Sequence, residues 1–434
     1  MGLKADLIKK LKKYPLLFKI AKKIYNTLLR PVNVIIIKLR RIFWFLQKED
    51  WPQNIRKEKY QPLISVIVPN YNHEPFLRER LESIYNQDYD NYEVILMDDC
   101  SSDNSRELLL EYANKYPDKT KVLFNEENSG GVFKQWKKGI SIAKGELIWI
   151  AESDDYCSTN FLSSLKDYFQ DESILIAYCR TVFVKDNKEI TNIELNLSDI
   201  DSFKWRNDFV ESAHNIVNSA MALKNIIPNV SSALFRRPGK MYMVDSQKWE
   251  SLRFCGDWVF YLHMMRGGAI AYTTKATNYY RQHDKNTSTR LAGEDLYYKE
   301  IEYVATIVAE LYDVPDQIFY RQQKMLIEYW KLHRESFDEA SFQNCYDVQK
   351  IVEFKKRRKP NIAMFGFAFA AGGGETFSII LANVLYEKGY SITYVNFDCD
   401  NRVPAIRAML NPTIPVINLS RTSTLPIYMS LAGI

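Results

Sequence analysis

Cysteine is scarce in this chain. Its six cysteines, at positions 100, 157, 179, 255, 345 and 399, include no Cys-x-x-Cys pair. That spacing argues against a zinc ribbon or a disulfide framework and fits a reducing compartment. No apolar run is long enough to span a bilayer. The best candidate, residues 32–47, is short and carries Lys38, Arg40 and Arg41. No cleavable signal peptide is evident. The formal net charge is only +5, and no nucleic-acid-binding motif accompanies it. What remains is ordinary globular material, 46% apolar and 26% charged over 434 residues. That is enough for two or three domains with a large core.

The small net charge hides an asymmetry. Residues 1–60 hold 16 Lys and Arg against 4 Asp and Glu, which leaves 42 and 49 in the rest. The segment is thus near +12 and the remainder near −7. Leu7, Ile8, Leu11, Leu16, Leu17, Ile20, Ile24 and Leu28 recur at helical spacing. A basic amphipathic helix of this kind reads as an anchor to an anionic membrane surface.

From residue 61 strands and helices alternate. Leu63–Pro69 is an apolar run ended by proline, and helical spacing of apolar residues follows over 76–85. A second strand, 92–97, ends in Asp98-Asp99-Cys100-Ser101-Ser102-Asp103, with a helical pattern over 105–116. A third strand, 121–124, leads through Asn128-Ser129-Gly130-Gly131 to a helix over 132–143. A fourth, Leu147-Ile148-Trp149-Ile150-Ala151, stops in Glu152-Ser153-Asp154-Asp155. Repeats of about 30 residues predict a mostly parallel α/β sheet with right-handed crossovers. Two acidic clusters at strand C-termini then share one sheet edge, where open α/β sheets bind ligands. Hard oxygen ligands there suit Mg²⁺ or Mn²⁺ bridged to phosphate.

Residues 293–356 are helical in pattern, and the charged run 354–360 reads as a linker. Beyond it, a strand at 361–366, the turn Gly372-Gly373-Gly374-Glu375, a helix over 376–388 closed by Gly389, and a strand at 391–396 form a βαβ unit. The predicted divisions are 1–60, 61–292, 293–358 and 359–434.

The runs SVIVPNYNHEPFLRERLESI, VILMDDCSSDNS, NSGGVFKQWKKGISIAKGELIWIAESDDY, CGDWVFYL and YYRQHDKNTS together resemble family 2 glycosyltransferases of the GT-A fold, across residues 62–290. The βαβ unit resembles the opening of a GT-B glycosyltransferase. With about 74 residues it is incomplete for that fold and is expected to be inactive.

The resemblance implies roles. Pro69 and Tyr71 form a wall of the nucleoside pocket, with Tyr71 stacked on the base. Asp99 accepts from the base, as suits uridine, thymidine or guanosine, and Asp98 supports the ribose side or the strand end. The family's Asp-any-Asp metal motif reads Glu152-Ser153-Asp154 here, so Asp154 is the expected metal ligand. Glu152 reaches the ribose, or the metal through water, and Asp155 is a weaker candidate. Asp257 is the general base that takes the acceptor proton. Burial near Trp258 would raise its pKa, although an Asp at that point also caps helices well. Arg281 grips the diphosphate, and neutral His283 ligates the cation. His73, His214 and His263 lack such a setting. Lys134, Lys137 and Lys138 read as a solvated face. Acceptor recognition is expected between Asp155 and Asp257, with residues 227–237 contributing.

The expected function is inverting, Mn²⁺- or Mg²⁺-dependent transfer from a nucleoside-diphosphate sugar to a glycan or lipid-linked acceptor of a surface polysaccharide, at the inner face of the plasma membrane. A nucleotidyltransferase would need a Gly-rich, Arg-containing loop after the first strand, and Pro69-Asn70-Tyr71-Asn72 is not one. A non-catalytic sugar-nucleotide-binding or scaffold module is the alternative from another class.

Overall fold

The computed structural model describes residues 60–238, 247–283, 293–334, 336–358 and 360–418. The basic N-terminal segment lies outside them. Four strands form as expected: β1 (Ile64–Asn70), β2 (Tyr92–Asp98), β3 (Thr120–Phe124) and β4 (Leu147–Ile150). They pair in parallel in the order β3-β2-β1-β4. Helices α1 (Glu74–Tyr85), α2 (Ser105–Lys115) and α3 (Val132–Ile142) make the crossovers.

The apolar runs are unbroken because this sheet is covered on both faces. In β4, Ile148 and Ile150 enter one core while Leu147 and Trp149 enter the other. β1 divides in the same way, with Ile67 on one side and Val66 and Val68 on the other. This is the two-residue period of a strand.

The second half corrects the expectation of a mostly parallel sheet. The ten-stranded sheet continues through β9 (Ala233–Arg236), β6 (Ile174–Lys185), β10 (Ala269–Arg281) and β5 (Tyr156–Cys157). β9 runs antiparallel to both β4 and β6, and β5 antiparallel to β10. β7 (Lys188–Asn192) and β8 (Phe209–Ser212) add antiparallel edges to β6 and β10. Only β6 and β10 are parallel there. Only β6 and β7 are joined by a tight hairpin; the other second-half strands return over longer connections, and the sheet becomes mixed. A Rossmann-like mixed sheet flanked by helices is the result.

Helix α4 (Gly256–Met264) follows a tight approach to α3. A Cβ on Gly256 would overlap the Phe133 ring, which explains glycine in Cys255-Gly256-Asp257-Trp258. Helices α5 (Asp295–Leu311), α6 (Asp316–His333), α7 (Glu339–Gln343) and α8 (Val348–Arg357) follow. Tyr298, Val304, Phe319, Trp330 and Ile351 from these helices belong to the same hydrophobic core as Trp258 and Phe260.

Most of the charged run expected as a linker is the last turn of α8. Lys355 pairs with Asp316 at 2.9 Å and Arg357 with Glu353 at 3.2 Å. Cations at a helix C-terminus also suit its dipole.

A separate three-stranded parallel sheet has the order β11 (Asn361–Phe369), β12 (Ser391–Arg402), β13 (Val416–Asn418). Helices α9 (Gly373–Glu387) and α10 (Pro404–Met409) connect it. Its core is small and its own, around Phe369, Ile379, Tyr394 and Leu410. Gly389 closes α9 with φ +81°, the left-handed conformation that favours glycine. Among the described residues no helix is long and apolar enough to cross a membrane, and the five described cysteines are free.

Candidate functional site

The C-terminal ends of β1, β2 and β4, the start of α4 and the end of β10 enclose one cavity of about 1050 Å³. Its wall includes Pro69, Tyr71, Asp99, Glu152, Asp154, Asp257 and His283. Asp98 and Arg281 are not part of that wall.

The pleat separates the two aspartates at the end of β2. Asp98 is fully buried. It accepts from Asn70 Nδ2 at 2.9 Å, Ser101 N at 2.9 Å and Arg106 Nε at 2.7 Å. Burial pushes its carboxyl up, but Arg106 and these donors outweigh it and hold the pKa below the usual value. Asp98 therefore ties the β1 and β2 ends together.

Asp99 reaches the cavity, but its carboxylate is also heavily engaged. It accepts from Asn125 Nδ2 at 2.6 Å, Ser129 N at 2.8 Å, Ser129 Oγ at 2.7 Å and Gln135 Nε2 at 2.9 Å. It thus shapes the Asn128–Gly131 loop against the pocket. The three lysines of α3 bind elsewhere: Lys134 to Ser129 O, Lys137 to Glu250 and Lys138 to Asn125.

The loop after β4 is a dense acidic group. Glu152 accepts from Trp136 Nε1 at 2.9 Å. Burial, then the neighbouring Asp154 and Asp155, push its pKa up to about 8, so at neutral pH it offers a proton. Asp155 accepts from Ser231 Oγ at 2.7 Å and Arg281 N at 3.1 Å. Burial and Asp154 push it up to about 7. Asp154 behaves in the opposite way. Burial raises it, but His283 and His73 more than compensate, and the net shift is downward. Of the three carboxylates in this loop, Asp154 is the one held ionised.

His283 Nε2 lies 3.0 Å from Asp154 Oδ2, and its ring stacks on Phe76 at 4.9 Å. A histidine passed over in the sequence completes the group. His73, at the start of α1, has Nδ1 2.8 Å from Ser153 Oγ. One ligand atom each from His73, Asp154 and His283 lie within 4.8 Å of one another. Two imidazoles and an ionised carboxylate are a suitable donor set for a divalent cation. The signal for His73 was its place directly after the Pro-Asn-Tyr-Asn turn, within the resembling run.

Arg281 is held by contacts to neighbouring elements. Its guanidinium donates to Glu79 Oε2 at 2.5 Å and to Asp154 O at 2.9 Å, and lies over the Phe76 ring at 4.8 Å. These contacts turn it away from the cavity. In this arrangement it joins β10, α1 and the acidic loop.

Asp257 lies in the first turn of α4, with Cys255 as the N-cap residue. It accepts from Trp258 N at 2.7 Å and from Asn225 Nδ2 at 3.0 Å. Burial dominates and pushes its pKa up to about 7. A carboxylate poised there can take a proton near neutral pH. The loop before it is held from α5: Glu300 accepts from Arg253 N at 2.7 Å, Phe254 N at 2.8 Å and Cys255 N at 2.7 Å. Nothing in the local sequence marks Glu300. Asn225 and Asn229, near the segment expected to meet the acceptor, also line the cavity, as do Tyr297 and Tyr329 of the helical region.

Residues 65–229 match the family model described as glycosyl transferase family 2, which is less than half of the chain. Glycosyltransferase GlyG of Streptococcus pneumoniae is 42% identical over 110 residues, 25% of this chain and 36% of that protein. Poly(ribitol-phosphate) beta-N-acetylglucosaminyltransferase TarS of Staphylococcus aureus is 39% identical over 100 residues, 23% of this chain and 17% of that protein. The chain thus spans only about a third, or less, of the length of these curated relatives. The crystal structure of residues 1–349 of S. aureus TarS in complex with UDP-GlcNAc shares 19% identity, covers 67% of this chain and 81% of that one, and has a TM-score of 0.49. The segment that carries β1 to β4 and the acidic loop is accordingly similar to family 2 glycosyltransferases.

Proposed function

We propose that this protein is an inverting, metal-dependent glycosyltransferase. It transfers a sugar from a nucleoside-diphosphate sugar to a glycan or glycolipid acceptor of a surface polysaccharide. One observation carries this reading: Asp257, poised near pH 7, faces the same cavity as the Asp154–His283 pair.

Tyr71 and Pro69 border the nucleoside end, with Asp99 shaping the loop opposite. Asp154 and His283 hold the cation. When bound, that ion supplies positive charge to the leaving diphosphate. Glu152, protonated at neutral pH, donates a hydrogen bond toward the ribose. Asp257 Oδ2 accepts the proton of the acceptor hydroxyl as its oxygen attacks the anomeric carbon.

The domain division follows the same reading. Residues 61–292 form the transferase domain and 293–358 a helical extension fused to its core. Residues 359–434 begin a GT-B-like Rossmann unit. Phe377, Ile380 and Val384 stand exposed along one side of α9, as suits a face that further structure covers. The basic residues 1–60 bring the enzyme to the anionic inner face of the plasma membrane.

The test is thermal stabilisation of the full chain by a panel of nucleoside diphosphates and their sugars, with and without Mn²⁺. One nucleotide sugar should stabilise strongly and only with the cation. No response to any nucleotide, with or without metal, would refute the reading.

A further inference from the structure

The family resemblance assigns Asp154 and His283 to the cation and leaves the turn after β1 to the nucleoside. The structure brings that turn beside Asp154 and His283. His73 is the last residue before α1, and its ring meets that of His283 edge-on, with centroids 5.7 Å apart. Resting on the reading of Asp154 as a metal ligand, we propose that His73 is a third protein ligand. The cation is then held by two imidazoles and one carboxylate, and this set selects Mn²⁺ or another first-row transition ion over Mg²⁺.

Two observations support the assignment. The first is proximity. Neighbouring ligands of one octahedral ion, with bonds of about 2.1 Å, lie roughly 3 Å apart. His283 Nε2 and Asp154 Oδ2 already stand at 3.0 Å. The set that includes His73 lies within 4.8 Å, so modest side-chain rotation brings all three to one ion. The second is orientation. Metal-binding histidines are usually fixed by a hydrogen bond at the other ring nitrogen, and Ser153 Oγ provides this at His73 Nδ1, 2.8 Å away. Ser153 is the middle residue of Glu152-Ser153-Asp154, so the acidic loop aims the imidazole as well as supplying the carboxylate.

The chemistry then sets the choice of ion. Mg²⁺ prefers oxygen ligands and keeps much of its water, whereas imidazole suits transition ions. A His-His-Asp set also leaves the ion's other positions open to phosphate oxygens and water.

The test is direct binding of Mn²⁺ and Mg²⁺ to the full-length protein, by titration calorimetry and by loss of the free Mn²⁺ EPR signal. His73→Gln should weaken Mn²⁺ at least tenfold and Mg²⁺ less than threefold, so that the preference collapses. Pulsed EPR on the Mn²⁺-loaded wild type, which needs no variant to fold, should find two coordinated imidazole nitrogens. If Asp154→Asn abolishes binding while His73→Gln leaves both affinities unchanged, His73 is not a ligand, although the cation site stands. One coordinated nitrogen in the wild type overturns the proposal equally. If wild type and Asp154→Asn both fail to bind Mn²⁺, the underlying metal reading falls and the proposal with it.

Discussion

Glu300 aims Asp257. Its carboxylate accepts three successive backbone N–H groups, from Arg253, Phe254 and Cys255, directly before the turn that carries the proposed base. The two residues lie on different helices, and this clamp ties the helical region to the start of α4.

Glu300→Gln should therefore act at a distance. Oε2 alone receives two of the three hydrogen bonds, and an amide cannot accept at both ends. Transfer should slow by about 10- to 100-fold through misplacement of the base, with the donor KM nearly unchanged. The acid limb of the pH profile should also move to lower pH, because the Glu300 charge helps to raise Asp257. A variant that only melts earlier, with kcat and pH profile intact, would reduce Glu300 to a structural role.

How far the sequence foretold this site depends on what each residue's position encodes. β1, β2 and β4 were legible because strands buried on both faces are unbroken apolar runs. The mixed second half was not, since pairing direction there depends on how β9 and β10 return to the sheet. Asp98 and Asp99 look alike in sequence, yet the end of a pleated strand sends one to Arg106 and the other to the cavity. His73 was missed because one histidine in a turn has no periodicity, and its meeting with His283 exists only in the fold. Glu300 was missed for the same reason: its partners are backbone atoms of a distant loop.

Arg281→Gln separates a latch from a phosphate grip. Loss of the contacts to Glu79 and to Asp154 O should destabilise the protein by about 1–3 kcal/mol, read from chemical denaturation. With UDP as probe, affinity without metal should change little, while Mn²⁺-dependent binding weakens as Asp154 loses support. A tenfold or greater loss of metal-free UDP affinity would return Arg281 to the phosphates.

Deleting residues 1–58 tests the membrane assignment. The full chain should sediment with phosphatidylglycerol-containing vesicles and release as salt rises, since surface electrostatics are screened. The truncated chain should stay in solution at all salt concentrations. Equal vesicle binding by both would place the anchor elsewhere.

Asp257 gives the most discriminating experiment, because its protonation has opposite consequences for activity and stability. Only the carboxylate can accept the acceptor proton, so transfer should rise with pH through about 7 and then level off. Stability should move the other way. A carboxyl whose folded pKa lies above its unfolded value favours the folded state while protonated. That contribution is full below the unfolded pKa of about 4 and is lost as pH rises through about 7. Asp257→Asn keeps the shape and removes the titration. Its stability relative to wild type should therefore improve between pH 4 and pH 8, while transfer falls by about 10²-fold or more and loses its acid limb. Donor and Mn²⁺ binding should stay near wild type, since neither involves this residue. An Asn variant that transfers sugar normally would remove Asp257 from the chemistry, and one whose stability tracks wild type at every pH would show that the carboxyl is not held protonated in the fold.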